Sequence, residues 1–167
     1  MTTQVHQIYI KAKPEAIWDA ITKPEWTERY GYGGRAEFDL RPGGAFRTLS
    51  SDEMKKAGAE MGSPVPDIAV DGEVVEANPP TKLVITWRLA MDPGMAAEGF
   101  SRLTYVITEA DAGYSRLTIA HDLDGMPNLA VMVAGEGDAK PSEGGGGWPW
   151  VLSDLKSLLE TGTAMAG

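Results

Sequence analysis

The chain has 167 residues, of which 43% are hydrophobic and 23% are charged, a balance typical of one globular domain. Its formal net charge of −9 argues against a general affinity for nucleic acid or for anionic membrane surfaces. The absence of cysteine excludes disulfides and thiolate metal sites, no apolar run is long enough to span a bilayer, and the N-terminal pattern is not that of a secretory signal. We therefore expect a single cytoplasmic domain over residues 1–167.

The first fifty residues predict a strand, two short helices and a hairpin. Apolar and polar residues mix with a period of two over residues 5–10, which favours a strand. Pro14 suits the first turn of a helix, and the helix ends before Pro24, which begins a second short helix reaching about Arg29. From residue 36 to residue 49 the period is two again, around a Pro-Gly-Gly turn, and this predicts a β-hairpin.

The middle of the chain predicts further strands around one helical excursion. Residues 51–61 have helical spacing, and we interpret 51–68 as an insertion or a lid. Four strands follow, because apolar residues alternate with polar ones near residues 70–75, 83–87, 103–107 and 117–121. Antiparallel strands with helices mainly at the ends of the chain indicate the α+β class.

The C-terminal part predicts a glycine-rich loop and then a long helix. Residues 135–147 include four consecutive glycines, which predicts a flexible segment that does not pack, and they carry no phosphate-binding pattern. Residues 148–162 have a helical period and end at a glycine. One face of this helix is predicted to be apolar and the other polar, the two sets being Leu152, Leu155 and Leu159 against Asp154, Lys156 and Glu160.

Five short segments together resemble the motifs of one known family, and they occur in order along nearly the whole chain. They are IKAKPEAIWDAITKPE at residues 10–25, DLRPGGAFR at 39–47, NPPTKLVITW at 78–87, LTIAH at 117–121 and GWPWVLSDLKSLLETG at 147–162. This set resembles the Hsp90-ATPase-activator-homologue-like domains of the START and Bet v 1-like superfamily, also called polyketide cyclase-like. The resemblance implies a helix-grip fold, in which a curved antiparallel sheet wraps around a long C-terminal helix and two short helices follow the first strand.

The same resemblance implies a range of functions. Most members bind apolar or amphipathic small molecules between the sheet and the last helix, a minority are cyclases or hydrolases, and the eukaryotic namesake stimulates a chaperone ATPase. Residues 51–68 and the glycine-rich loop depart from the family pattern, so the identity of a ligand does not carry over. A homodimer is left open.

The inward faces of the predicted elements supply a set of candidate ligand-binding residues. Tryptophan and tyrosine combine a broad apolar surface with one polar group, which suits the lining of a pocket, although the same residues also serve as plain core. We expect a cavity of roughly 300–1,000 Å³ between the last helix and the strands that carry Trp87, Tyr105 and His121. The candidate residues are Trp18, Trp26, Tyr30, Phe38, Trp87, Tyr105, His121, Trp148 and Leu152.

His121 has two interpretations. It is either a hydrogen-bonding or proton-transferring group at the pocket, or a core histidine whose ring nitrogens are satisfied by neighbours. His6 is predicted to lie on the surface of the first strand. Two histidines without a paired spacing give no metal site, no G-x-S-x-G motif provides a serine nucleophile, and no cofactor is expected.

Three functions compete on this basis. The first is binding of a small apolar or amphipathic ligand, because the sheet face is apolar and aromatic. The second is a cyclase- or hydrolase-type reaction in which His121 transfers a proton with Tyr105 or a nearby acid. The third is a protein-interaction module that resembles a chaperone activator.

Overall fold

The computed structural model describes residues 2–165. Seven strands form one antiparallel sheet in the order β1-β7-β6-β5-β4-β3-β2, which confirms the predicted α+β architecture of helix-grip type. The strands are β1 (Thr3–Ile10), β2 (Arg35–Phe38), β3 (Ala45–Leu49), β4 (Ile68–Asn78), β5 (Lys82–Trp87), β6 (Ser101–Glu109) and β7 (Ser115–Asp122). The helices are α1 (Pro14–Thr22), α2 (Pro24–Thr27), α3 (Asp52–Glu60), α4 (Pro93–Ala96), α5 (Pro127–Ala134) and α6 (Gly147–Thr161), with a short 3-10 helix at Pro141–Glu143.

The register of the central strands puts the predicted inward residues on one face. Residues directly opposite each other in an antiparallel pair point to the same side of the sheet, and β5, β6 and β7 are paired without a register shift. We call this side the concave face, because α6 packs against it. Its rows across β5, β6 and β7 are Trp87–Ser101, Ile85–Leu103–His121, Leu83–Tyr105–Ile119 and Ile107–Leu117.

Helix α6 covers the concave face with its leucines. Leu152 and Leu155 are buried, as the helical period predicts, and α6 also contacts β1, α1 and α5. Helix α1 buries Ile17 and Ile21 against the same core. Among residues 2–165, no helix combines the length and the apolar character that crossing a membrane requires.

Asp154 is the clearest departure from the predicted faces of α6. The helical period put it on the polar side, but only 1% of its surface is exposed. Its carboxylate accepts hydrogen bonds from two backbone N–H groups, those of Gly31 at 2.7 Å and Met165 at 2.6 Å. A buried charge that is hydrogen-bonded in this way fastens the turn after α2 and the segment after α6 to the helix.

The glycine-rich segment packs more closely than its composition predicts. Gly145 and Gly147 are buried, and a Cβ atom at Gly147 would lie 2.3 Å from the carbonyl oxygen of Val133. The hydroxyl of Tyr32 donates to the carbonyl of Pro141 and accepts from the N–H of Gly146. The prediction that this segment does not pack is therefore wrong for its C-terminal half, and its mobility stays a prediction.

Two helices were not predicted. Helix α4 lies between β5 and β6, and its N-terminus is capped by Asp92, whose side chain accepts from the N–H of Met95. Helix α5 begins at Pro127 and ends before Gly135, which has the left-handed conformation typical of a helix C-terminus. Proline at the start and glycine after the end are sequence signals for α5.

Candidate functional site

Four of the candidate residues meet at the centre of the concave face. Trp87 ends β5, Tyr105 lies in the middle of β6, His121 lies near the end of β7, and Trp148 comes from the first turn of α6. The ring centroids of His121 and Trp148 are 5.9 Å apart, and those of Trp87 and His121 are 5.4 Å apart. Trp148 stands edge-on to Tyr105, at 6.4 Å and 89°, an arrangement that aromatic pairs favour. We call these four residues the aromatic cluster.

A chain of hydrogen bonds runs through the cluster. The indole Nε1 of Trp148 donates to Nδ1 of His121 at 3.1 Å, and Nε2 of His121 lies 2.7 Å from the hydroxyl of Ser101. That hydroxyl donates to the backbone carbonyl of Trp87 at 2.7 Å. Because an indole N–H only donates, Nδ1 of His121 accepts and its Nε2 carries the proton.

These bonds hold His121 in its neutral form. A proton on Nδ1 would face the N–H of Trp148, and the imidazole is completely buried. Burial lowers the pKa of His121 to about 4, with a smaller contribution from nearby His6. Both ring nitrogens are occupied by protein partners, so this arrangement corresponds to a satisfied core histidine and offers no base to a substrate.

Tyr105 differs from its neighbours because its hydroxyl has no hydrogen-bond partner in the described part of the chain. Tyr30, a nearby tyrosine, donates its hydroxyl to the backbone carbonyl of Ala20 at 2.8 Å. The hydroxyl of Tyr105 makes no hydrogen bond with any residue from 2 to 165, and burial raises its pKa. Tyr105 is partly exposed, so its hydroxyl is open to a hydrogen bond from a bound molecule.

The remaining candidate residues are spread around the cluster. Trp18 and Leu152 are buried core residues in α1 and α6. Trp26 is partly buried and carries the guanidinium of Arg29 over its ring at 4.7 Å. Phe38 stacks on Phe46 of the neighbouring strand, with 4.6 Å between ring centroids. Trp26 and Phe38, like Tyr30, are partly buried hydrophobic residues that pack on the same core.

His6 lies closer to this site than the sequence predicts. It pairs with Ile119 across β1 and β7, so it points to the concave side and is partly buried there. Burial lowers its pKa below the ordinary value. The prediction of a surface position is therefore wrong, because one edge of the concave face extends over β1.

Ser101 is the member of the hydrogen-bond chain that sequence reasoning missed. Its side chain is buried directly opposite Trp87 in the pairing of β5 with β6. A serine at the start of a strand does not by itself indicate a functional site. Its role becomes visible only when the register places its hydroxyl between His121 and the carbonyl of Trp87.

Two surface recesses lie on the other face of the sheet. One, of about 300 Å³, is lined by residues of β3 and β4 and by Phe100, and includes Arg47 and Asp71. The other, of about 250 Å³, lies beside Phe100 and Arg102. Thr86 and Arg102 are paired between two inward-facing pairs, so their side chains point away from α6. These recesses are therefore outside the sheet-helix interface where the cavity was predicted. Trp148, Leu152 and Leu155 occupy that interface.

No cluster of three or more histidine, aspartate or glutamate side chains suited to a metal ion occurs among residues 2–165. The concave site offers aromatic faces, a histidine paired within the protein, and a tyrosine hydroxyl without a partner among these residues.

Comparison with known proteins gives consistent results for the fold. Residues 11–160 match the family model described as Activator of Hsp90 ATPase homolog 1-like protein. A comparison with curated proteins finds no match. Solved structures of similar fold include the following three.

The first of these structures is protein MLL2253 from Mesorhizobium loti, with 24% identity over 95% of this chain and 96% of that chain and a TM-score of 0.65. CalU16 from Micromonospora echinospora has 18% identity over 95% and 65% of the two chains, with a TM-score of 0.62. PFC0360w, an HSP90 activator from Plasmodium falciparum, has 20% identity over 73% of each chain, with a TM-score of 0.53. Since the family model matches residues 11–160, which include β2 to β7 and nearly all of α6, the chain belongs to the Activator of Hsp90 ATPase homolog 1-like family.

Proposed function

We propose that the protein binds a small apolar or amphipathic molecule on the concave side of the sheet, beside Trp87 and Tyr105. One observation carries the proposal. Trp87 and Tyr105 are partly exposed, whereas the aliphatic residues around them are buried, with Leu83 and Leu103 at 0% and Ile119 at 1% exposure. Exposed aromatic surface within an otherwise closed apolar face is typical of a ligand site.

A ligand would take space that side chains now occupy. Three methionines are partly buried and pack on the same core: Met54 of α3, Met95 of α4, and Met91, which precedes α4. Methionine side chains are unbranched and flexible, so they can rearrange around a guest at low cost. We therefore expect binding to move side chains near α3 and α4, with the sheet itself unchanged.

The two alternatives have less support. Proteins of this fold bind ligands or act as cyclases or chaperone activators. A reaction that uses His121 as a base would first have to break its bond to Trp148 or Ser101, and Tyr105 is not bonded to His121. The hypothesis of a chaperone activator rests on the family alone, because no contact of the aromatic cluster indicates a protein partner.

Titration with the neutral dye phenylnaphthylamine tests the proposal. The dye emits strongly in apolar surroundings and accepts excitation energy from tryptophan, so binding beside Trp87 should appear as saturable energy transfer. We expect Trp87→Phe to reduce this transfer clearly. Trp150→Phe is the matched control, because Trp150 is a partly buried residue of α6 outside the aromatic cluster.

A further variant separates the concave site from the outer recesses. Phe100 lines both recesses, so Phe100→Ser should abolish binding there and leave binding at the concave site unchanged. Saturable binding that survives Phe100→Ser, with energy transfer reduced more in Trp87→Phe than in Trp150→Phe, supports the proposal. Binding lost in Phe100→Ser, or no saturable binding at all, overturns it.

A further inference from the structure

The concave face lacks charged side chains. Between the Trp87–Ser101 pair and the Ile107–Leu117 pair, its rows on β5, β6 and β7 contain no aspartate, glutamate, lysine or arginine. The buried carboxylate on the helix side, Asp154, accepts with both oxygens from backbone N–H groups. A charged ligand would therefore lose its hydration without gaining an opposite charge, which is unfavourable.

The histidines and tyrosines on this side are also uncharged near neutral pH. His121 is neutral because both of its nitrogens are engaged and burial lowers its pKa. Burial lowers the pKa of His6 as well, and it raises the pKa values of Tyr30 and Tyr105. The site thus presents dipoles and aromatic faces rather than charges.

Most of the polar groups in the site already have partners. The N–H of Trp148, both nitrogens of His121, and the hydroxyls of Ser101 and Tyr30 are all bonded within the protein. The hydroxyl of Tyr105 has no partner among residues 2–165, and it belongs to a residue that is partly exposed. It is therefore placed to bond an incoming molecule.

We propose that the ligand of this site is an uncharged aromatic molecule whose oxygen atom hydrogen-bonds to the hydroxyl of Tyr105. This inference rests on the proposed function and makes it narrower. The indole and phenol rings of the cluster supply edges and faces that pair with a flat aromatic body. Tyr105 supplies the one directional contact, so it determines which apolar molecules are preferred.

Three probes of nearly equal shape test the inference by fluorescence titration at neutral pH. They are an acetylnaphthalene, the isopropenylnaphthalene in which a methylene replaces the carbonyl oxygen, and the naphthoate, all substituted at the same ring position. We expect the wild-type protein to bind the ketone about two- to tenfold more tightly than the alkene, as one hydrogen bond provides. The anionic naphthoate should bind at least about tenfold more weakly than the ketone.

Tyr105→Phe removes only the hydroxyl. We expect this variant to bind the ketone and the alkene equally well, whereas Tyr9→Phe, which changes an exposed tyrosine of β1, should keep the wild-type preference. If the wild type binds both neutral probes but Tyr105→Phe keeps the preference, or if the naphthoate binds as tightly as the ketone, the inference is wrong and the proposed function stands. If no probe binds the wild type, the proposed function itself fails.

Discussion

The indole N–H of Trp148 donates to Nδ1 of His121 across 3.1 Å, which joins α6 to the last strand of the sheet. The bond exists only while His121 is neutral, because a protonated imidazole has no acceptor on Nδ1. Ser101 holds the other nitrogen, so the proton on the ring has one fixed place. Docking of α6 is thereby coupled to the protonation state of one buried residue.

The first prediction concerns pH. In the unfolded chain the pKa of His121 is near the ordinary value of 6.5, but in the folded protein burial lowers this pKa to about 4. The unfolded state therefore binds more protons between these values. The contribution of neutral His121 to the free energy of unfolding is therefore complete above about pH 6.5. It is lost as the pH falls through about 4, and the total loss is up to about 3 kcal/mol.

Urea denaturation of the wild type at a series of pH values between neutral and about 4 measures this loss, and His121→Gln should flatten the dependence. The variant is expected to be less stable at neutral pH, so the readout is the slope rather than the absolute free energy of unfolding. His6→Gln is the control and should keep most of the slope. An equal slope in His121→Gln and in the wild type would contradict the assignment.

The second prediction concerns the packing of α6 on the sheet. Leu155 is only 2% exposed, so Leu155→Ala should reduce the free energy of unfolding by about 2–5 kcal/mol. Leu40 is 39% exposed in the hairpin turn, and Leu40→Ala should cost less than about 1 kcal/mol. Chemical denaturation of both variants compares them. A midpoint for Leu155→Ala as close to the wild type as that of Leu40→Ala would show that α6 is not docked as described.

The third prediction concerns the glycine-rich segment. Gly147 has a positive φ of 60°, and its Cβ would lie 2.3 Å from the carbonyl oxygen of Val133. Gly147→Ala should therefore destabilise the protein by at least about 1–3 kcal/mol. Gly137 lies in the same segment with open space around it, so Gly137→Ala should be neutral or slightly stabilising. Thermal unfolding distinguishes the two, and equal transition temperatures would mean that the segment does not pack.

The fourth prediction concerns Asp154. In Asp154→Asn one oxygen becomes an amide N–H₂ group, which faces either the N–H of Gly31 or that of Met165. We expect a loss of about 1–3 kcal/mol in the free energy of unfolding and faster hydrogen exchange at one of these amides. Asp138→Asn, an exposed change, is the control. If both variants behave alike, the carboxylate does not fasten these segments.

Much of the fold was predictable because it follows from local spacing. Alternation with a period of two identified the face that carries Leu83, Tyr105 and Ile119, and the spacing of Leu152 and Leu155 identified the buried side of α6. Prediction from the sequence was wrong where it relied on amino-acid composition. The glycine run was expected to stay unpacked, but a residue without a side chain also permits the close backbone approach found at Gly147.

Taken alone, the sequence determined the family, the α+β class and the apolar face, since these depend on periodicity and on motifs of neighbouring residues. Only the tertiary structure decided which polar groups are satisfied. His121 is 20 residues from Ser101 and 27 residues from Trp148, so its partners depend on strand register and on where α6 lies. The same holds for the burial of Asp154 and for the hydroxyl of Tyr105, which has no partner among residues 2–165, because hydrogen bonds between distant segments are fixed only when the whole chain is packed.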